Sequence, residues 1–111
     1  MEGINMFQIN ENKGFHITFA NGITISCQIG GGNYCDNYIL EFPRIHDEMN
    51  QHITSCNNCE IAIWDKNNEW ITYEILEKLN LLDKCIPCDY MVAGYVGSDI
   101  VAKIIAYIST L

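Results

Sequence analysis

Phe15, Ile17 and Phe19 alternate with His16 and Thr18, and Ile23, Ile25, Cys27 and Ile29 alternate with Thr24, Ser26 and Gln28. Strict alternation marks a strand with one buried face. Between the runs lies Ala20-Asn21-Gly22, and Asn-Gly flanked by alternating apolar residues is a strong hairpin signal. The pattern predicts an antiparallel hairpin over 15–19 and 23–29, with Phe15, Phe19, Ile25 and Ile29 on a helix-covered face. The face carrying His16, Thr24, Ser26 and Gln28 is expected to meet solvent. Ile61 and Ile63, a Lys66-Asn67-Asn68 turn, and then Trp70, Ile71 and Tyr73 predict a second hairpin, because Asn tolerates the backbone angles of a tight turn.

The period then changes. Ile75, Leu76, Leu79 and Leu82 mark a short amphipathic helix from about residue 74, with Thr72 or Tyr73 ahead of it and Glu74 at its positive end. Residues 85–97 read as loop, with a short extended piece at 90–92. Val101, Ile104, Ile105 and Ile108 form the apolar stripe of a last helix, with Ser98 as its N-cap and Asp99 in its first turn. Ile45, Met49 and Ile53 allow a further short helix over 44–54. The expectation is an α+β domain spanning 1–111: an antiparallel sheet built from two β-hairpins, with two helices packed on one face. A chain of 111 residues buries enough surface to fold without metal or disulfide.

Charge narrows the partners. Fourteen Asp and Glu face six Lys and Arg, for a net charge of −8. Phosphate binding rests on Lys and Arg, so direct nucleic-acid binding is not expected. Presenting carboxylates to a basic partner fits the same balance. Residues 1–12 lack the apolar core of a signal peptide, and no apolar run approaches a membrane span. These features point to the cytoplasm, where the six cysteines stay reduced.

The cysteines are the first candidate chemistry. Cys56-Asn57-Asn58-Cys59 and Cys85-Ile86-Pro87-Cys88 have the spacing of a tetrahedral zinc quartet. A ten-residue helix between them would span about 15 Å and carry Cys85 to the far end of the sheet from Cys59. Cys85 also follows a helix rather than opening one, unlike a thioredoxin-type cysteine. Cys27 reads as inert packing among the isoleucines. Cys35 could pair with His16, His46 or His52 as a nucleophile for a Cys-dependent hydrolase. No nucleophile elbow, HExxH, Walker loop or GxGxxG is present. The expectation is a non-enzymatic protein without a cofactor.

The second candidate is the run after Ile29. Gly30-Gly31-Gly32 leads into Asn33, Tyr34, Cys35, Asp36, Asn37 and Tyr38. One reading is a rigid strand-ending loop, held by Asn and Asp side chains on nearby backbone. The other is a binding surface of Gly31, Gly32, Asn33, Tyr34, Asp36, Asn37 and Tyr38, since tyrosine offers an aromatic face with a polar tip. The stretch GFHITFANGITISCQIGGGNYCDN resembles a motif of small phage and prophage proteins: Gly-Phe-His, Thr-Phe, Asn-Gly, Ser, Gln, then Gly-Asn-Tyr-Cys. Gly31 stands where proline is frequent in that motif. The likeness is looser over EIAIWDKNNEWIT and GYVGSDIVAKII, and the two CxxC pairs lie outside it. The resemblance implies a setting rather than an activity: an infected or lysogenic bacterial host. Setting and charge together lead to an inhibitor of a host antiviral defence component, in the manner of anti-CRISPR proteins. A sponge for a nucleotide immune signal is the alternative, and a hydrolase or zinc module stands third. A homo-oligomer is compatible with all of them.

Overall fold

The first hairpin closes on its Asn-Gly turn. Phe19 N–H donates to the Ile23 carbonyl at 2.9 Å, and Gly22 takes a left-handed φ of +88°. Asn21 Oδ1 accepts from Ile23 N–H at 2.9 Å, and its Nδ2 donates to the Ile108 carbonyl at 2.8 Å. The turn therefore also ties the sheet to the end of the last helix. The computed structural model describes residues 5–10, 13–38, 53–89 and 91–111. The strands are β1 (Met6–Asn10), β2 (Gly14–Thr18), β3 (Thr24–Gln28), β4 (Asn58–Trp64) and β5 (Ala93–Gly97). They form one sheet in the order β1-β2-β3-β4-β5, antiparallel throughout. The helices are α1 (Thr72–Lys78) and α2 (Ser98–Ile108), with a 3-10 turn at Leu82–Lys84. The fold is α+β, as the two periodicities predict.

The second hairpin is shorter than its sequence suggests. Trp70 meets Trp64 through a single bridge, and Ile71 N–H donates to the Ile63 carbonyl at 2.9 Å. The chain then turns into α1 at Thr72, whose fully buried hydroxyl accepts from Ile63 N–H and donates to the Met91 carbonyl, each at 2.8 Å. This side chain makes a joint that replaces the expected strand. β4 pairs instead with β5, in the stretch read as loop. α1 ends at Lys78 and the chain reverses at Asn80, where φ is +62°, so Leu82 falls in the 3-10 turn. Ser98 makes no capping bond; Gly97 holds the cap position and Ser98 is the first helical residue. The helix expected over 44–54 falls largely on residues outside those described.

Ile25, Ile61, Ile63, Leu76, Val96, Ile104 and Ile108 are fully buried and form the core with Cys59 and Cys85. α1 packs on β4 and α2 on β5. The helices thus cover one side of the sheet, and Phe15 stays 39% exposed. Phe19 and Ile29 are only partly buried against the core, less than the alternation predicts. The opposite face is less open than expected. Thr24 and Ser26 are buried there, and His16 stands edge-on to Trp64 at 5.1 Å, which in turn meets Trp70 at 5.4 Å. Desolvation lowers the His16 pKa.

Candidate functional site

The loop after β3 is built by its asparagines. Asn33 Oδ1 accepts from Gly30 N–H at 2.8 Å, while its Nδ2 donates to Glu60 Oε1 at 2.7 Å. Asn37 Nδ2 donates to the carbonyls of Ile29 at 2.9 Å and Ser55 at 3.0 Å. Asn58 Oδ1, at the start of β4, accepts from Asp36 N–H at 2.8 Å. Cys35 is fully buried, with its thiol against the Gly30 carbonyl at 3.7 Å. Backbone bonds from Asn33 N–H to the Gly30 carbonyl and from Tyr38 N–H to the Cys35 carbonyl complete two tight turns. Asn33 and Asn37 thus hold the loop through their side chains, in the manner of the rigid-loop reading.

Tyr34, Asp36 and Tyr38 point the other way. Tyr34 is 39% exposed and Tyr38 37%. Their rings lie 5.5 Å apart at an angle of 33°, and Asp36 between them in sequence is exposed. The Tyr34 carbonyl accepts from Tyr95 N–H at 3.0 Å, which docks the loop on the outer edge of β5. The contact is close: a Cβ added at Gly94 would lie 2.6 Å from both the Tyr34 Cβ and the Ile86 carbonyl. Only glycine lets the two backbones approach this far. Tyr95 itself has a left-handed φ of +53° and is 37% exposed. Its phenol is pushed up, first by desolvation and then by nearby Cys35, Asp36 and Tyr38. Three tyrosines and one carboxylate therefore share a fixed face.

Tyr95 is the residue that the sequence pattern missed. Its signal is a single aromatic between two glycines, Gly94-Tyr95-Val96-Gly97. The glycine run contributes less than its sequence suggests. Gly22 is the glycine with a left-handed φ among the described residues, and a Cβ at Gly32 would meet nothing within 4 Å. Gly32 is exposed, Gly31 half-buried, and Gly30 buried with its N–H and carbonyl both bonded.

The thiols lie closer together than expected. Because α1 is short, Cys85 returns to the core and joins Cys59, instead of reaching the far end of the sheet. Cys56 keeps to Asn58 Oδ1 at 3.8 Å, and Cys88 bridges to Ala93. Among the described residues, no three His, Cys, Asp or Glu side chains converge as a metal site. Burial pushes the Cys35 thiol up to about 12 and the Cys85 thiol up to about 11. Cys59 is raised as well, by its hydrogen bond with Cys27 and by burial. An activated cysteine has the opposite shift. Of the histidines weighed as partners for Cys35, His16 packs on Trp64, and His46 and His52 lie outside the described residues. Among the described residues, no helix is long and apolar enough to cross a membrane. Compared with protein-family models, curated proteins and solved structures, the chain matches none of them.

Proposed function

We propose that this protein acts by binding, as an inhibitor of a host antiviral defence component, and that Tyr34, Asp36, Tyr38 and Tyr95 form the contact. The observation that carries this reading is the tyrosine face itself, exposed yet fixed by the asparagine network beneath it. Pre-ordered aromatic side chains bind without a large entropic cost. A ring pair beside a carboxylate suits the lysine or arginine of a basic surface, through cation–π and charge attraction together. The net charge of −8 steers such a surface toward the protein. The phage-type motif, which includes this loop, supplies the setting. The tilted pair of tyrosine rings also offers an aromatic face to a nucleobase, which keeps the nucleotide sponge as the second reading.

The experiment is capture from lysate of a bacterial host on immobilised protein, with the bound fraction identified by mass spectrometry. A basic subunit of a defence complex is expected, lost as salt rises, because exposed charges are screened beyond about 8 Å at physiological ionic strength. Tyr34→Ala combined with Asp36→Ala should abolish capture while circular dichroism stays unchanged. A heat-released nucleotide in place of a protein would move the reading to the sponge. Capture indifferent to both substitutions and to salt would remove this face from the function.

A further inference from the structure

The sheet has two edges, and they are treated differently. The outer edge of β5 is occupied: Ile86 N–H donates to the Gly94 carbonyl, Gly94 N–H to the Pro87 carbonyl, and Tyr95 N–H to the Tyr34 carbonyl, at 2.9–3.0 Å. Among the described residues, the outer edge of β1 has no strand beside it. Proteins usually blunt such an edge with lysine, proline or a bulge. Met6-Phe7-Gln8-Ile9-Asn10 has none of these and no charged residue. Phe7 is 82% exposed, Ile9 79% and Met6 46%. Phe7 pairs with Ile17 and Ile9 with Phe15, so both lie on the helix-bearing side of the sheet, beyond the reach of the helices.

We infer that β1 is a homodimer edge, pairing antiparallel with β1 of a second copy to give one continuous ten-stranded sheet. The occupant follows from the strand's own pattern. Residues directly opposite one another in an antiparallel pair point to the same face. With Gln8 opposite Gln8 of the second copy, each Phe7 falls opposite an Ile9, and all four apolar side chains share one face. The strand is thus self-complementary about a two-fold axis, as an isologous interface requires. Charge also favours this occupant. A basic partner would find no carboxylate on β1, whereas a second copy needs none. Phe7 and Ile9, the exposed side chains on the shared face, amount to on the order of 300 Å² per copy. Two copies then bring about 600 Å² of side chain together before the paired backbone is counted, which places the contact among the small, weakly associating interfaces and sets the micromolar range of the test.

The salt dependence distinguishes this contact from the tyrosine face. Each copy carries −8, so two copies repel while their uncharged edges attract. Screening weakens the repulsion, and the dimer should tighten as salt rises, opposite to capture of a basic partner. Sedimentation equilibrium of the full chain, over micromolar to high micromolar concentration and at low and high salt, tests it. The expected result is twice the monomer mass, favoured by salt, with Phe7→Lys or Ile9→Lys weakening association at least about tenfold, the equivalent of about 1.4 kcal/mol. Phe7 is mostly exposed, so Phe7→Lys leaves the circular dichroism spectrum unchanged. A monomer at the highest concentration and salt would overturn the inference, as would a dimer that ignores both substitutions.

Discussion

Asn33→Ala separates the loop's scaffold from its contact surface, and the structure sets its cost. The substitution removes two bonds: the acceptor for Gly30 N–H at 2.8 Å and the donor to Glu60 at 2.7 Å. A hydrogen bond to a charged group contributes about 1.5–3 kcal/mol and a neutral one about 1. Gly30 is buried, so its N–H loses its side-chain partner where water is scarce. A partly exposed site recovers some of this through solvent, which leaves a net loss of about 2–3 kcal/mol. Asn33→Asp gives a sharper test. It keeps the acceptor for Gly30 but sets a second carboxylate against Glu60. The introduced carboxyl is then held above the ordinary carboxylate value of about 3.9. Its folded form prefers the proton, so the wild-type-like stability is present below about pH 4 and is lost as pH rises through the folded value. Urea unfolding followed by tryptophan fluorescence at pH 7 and near pH 4 measures both variants. Amide exchange at Gly30 and Tyr95 reports whether the loop has come loose. A loss below about 0.5 kcal/mol for Asn33→Ala, or an Asn33→Asp loss that does not shrink in acid, would refute the reasoning.

Thr72→Val keeps the shape of a fully buried side chain but strands Ile63 N–H and the Met91 carbonyl; a loss of about 2–3 kcal/mol is expected, read as a lower urea midpoint at unchanged slope. In alkali, Cys35 and Cys85 hold protons in the native state that the unfolded chain releases from about pH 9, because burial raises them to about 12 and 11. Stability should therefore be intact below pH 9 and fall above it by on the order of 1 kcal/mol per pH unit for each thiol. Cys85→Ala should flatten this slope relative to wild type, and an unaltered slope would assign the alkaline loss to other groups.

Legibility from sequence tracked how local each determinant is. The Asn21-Gly22 turn and the Val101–Ile108 stripe are set by neighbours in the chain, and both elements stand where the pattern put them. β5 escaped because Gly94, left-handed Tyr95 and Gly97 interrupt the alternation, and these residues answer to the loop docked on them. The strand expected at Trp70–Tyr73 failed for a related reason. Thr72 reads as a strand residue by propensity, but its hydroxyl is fixed by Ile63 and Met91 from elsewhere in the chain. At the candidate site, the loop and the exposure of Tyr34 and Tyr38 were legible, because an Asn-rich turn after a strand and amphipathic rings are local signals. The sequence could not say that Asn33 and Asn37 turn inward, since Glu60 and Ser55 come from beyond a long connection. Distance along the helix misplaced Cys85 because Asn80, which takes a left-handed turn, passed as an ordinary helical residue.

The neck formed by Asn37 with Ser55 and by Asp36 with Asn58 has a consequence for where this chain tolerates change. Asn37 Nδ2 also holds the Ile29 carbonyl just past β3, and Asn58 opens β4. Two neighbouring strands and the aromatic loop therefore share the same pair of amide side chains. A substitution at Asn37 or Asn58 reaches the sheet and the tyrosines together, whereas one at exposed Gly32 meets neither. Descendants of this chain are thus expected to change Gly32 freely and these two asparagines hardly at all.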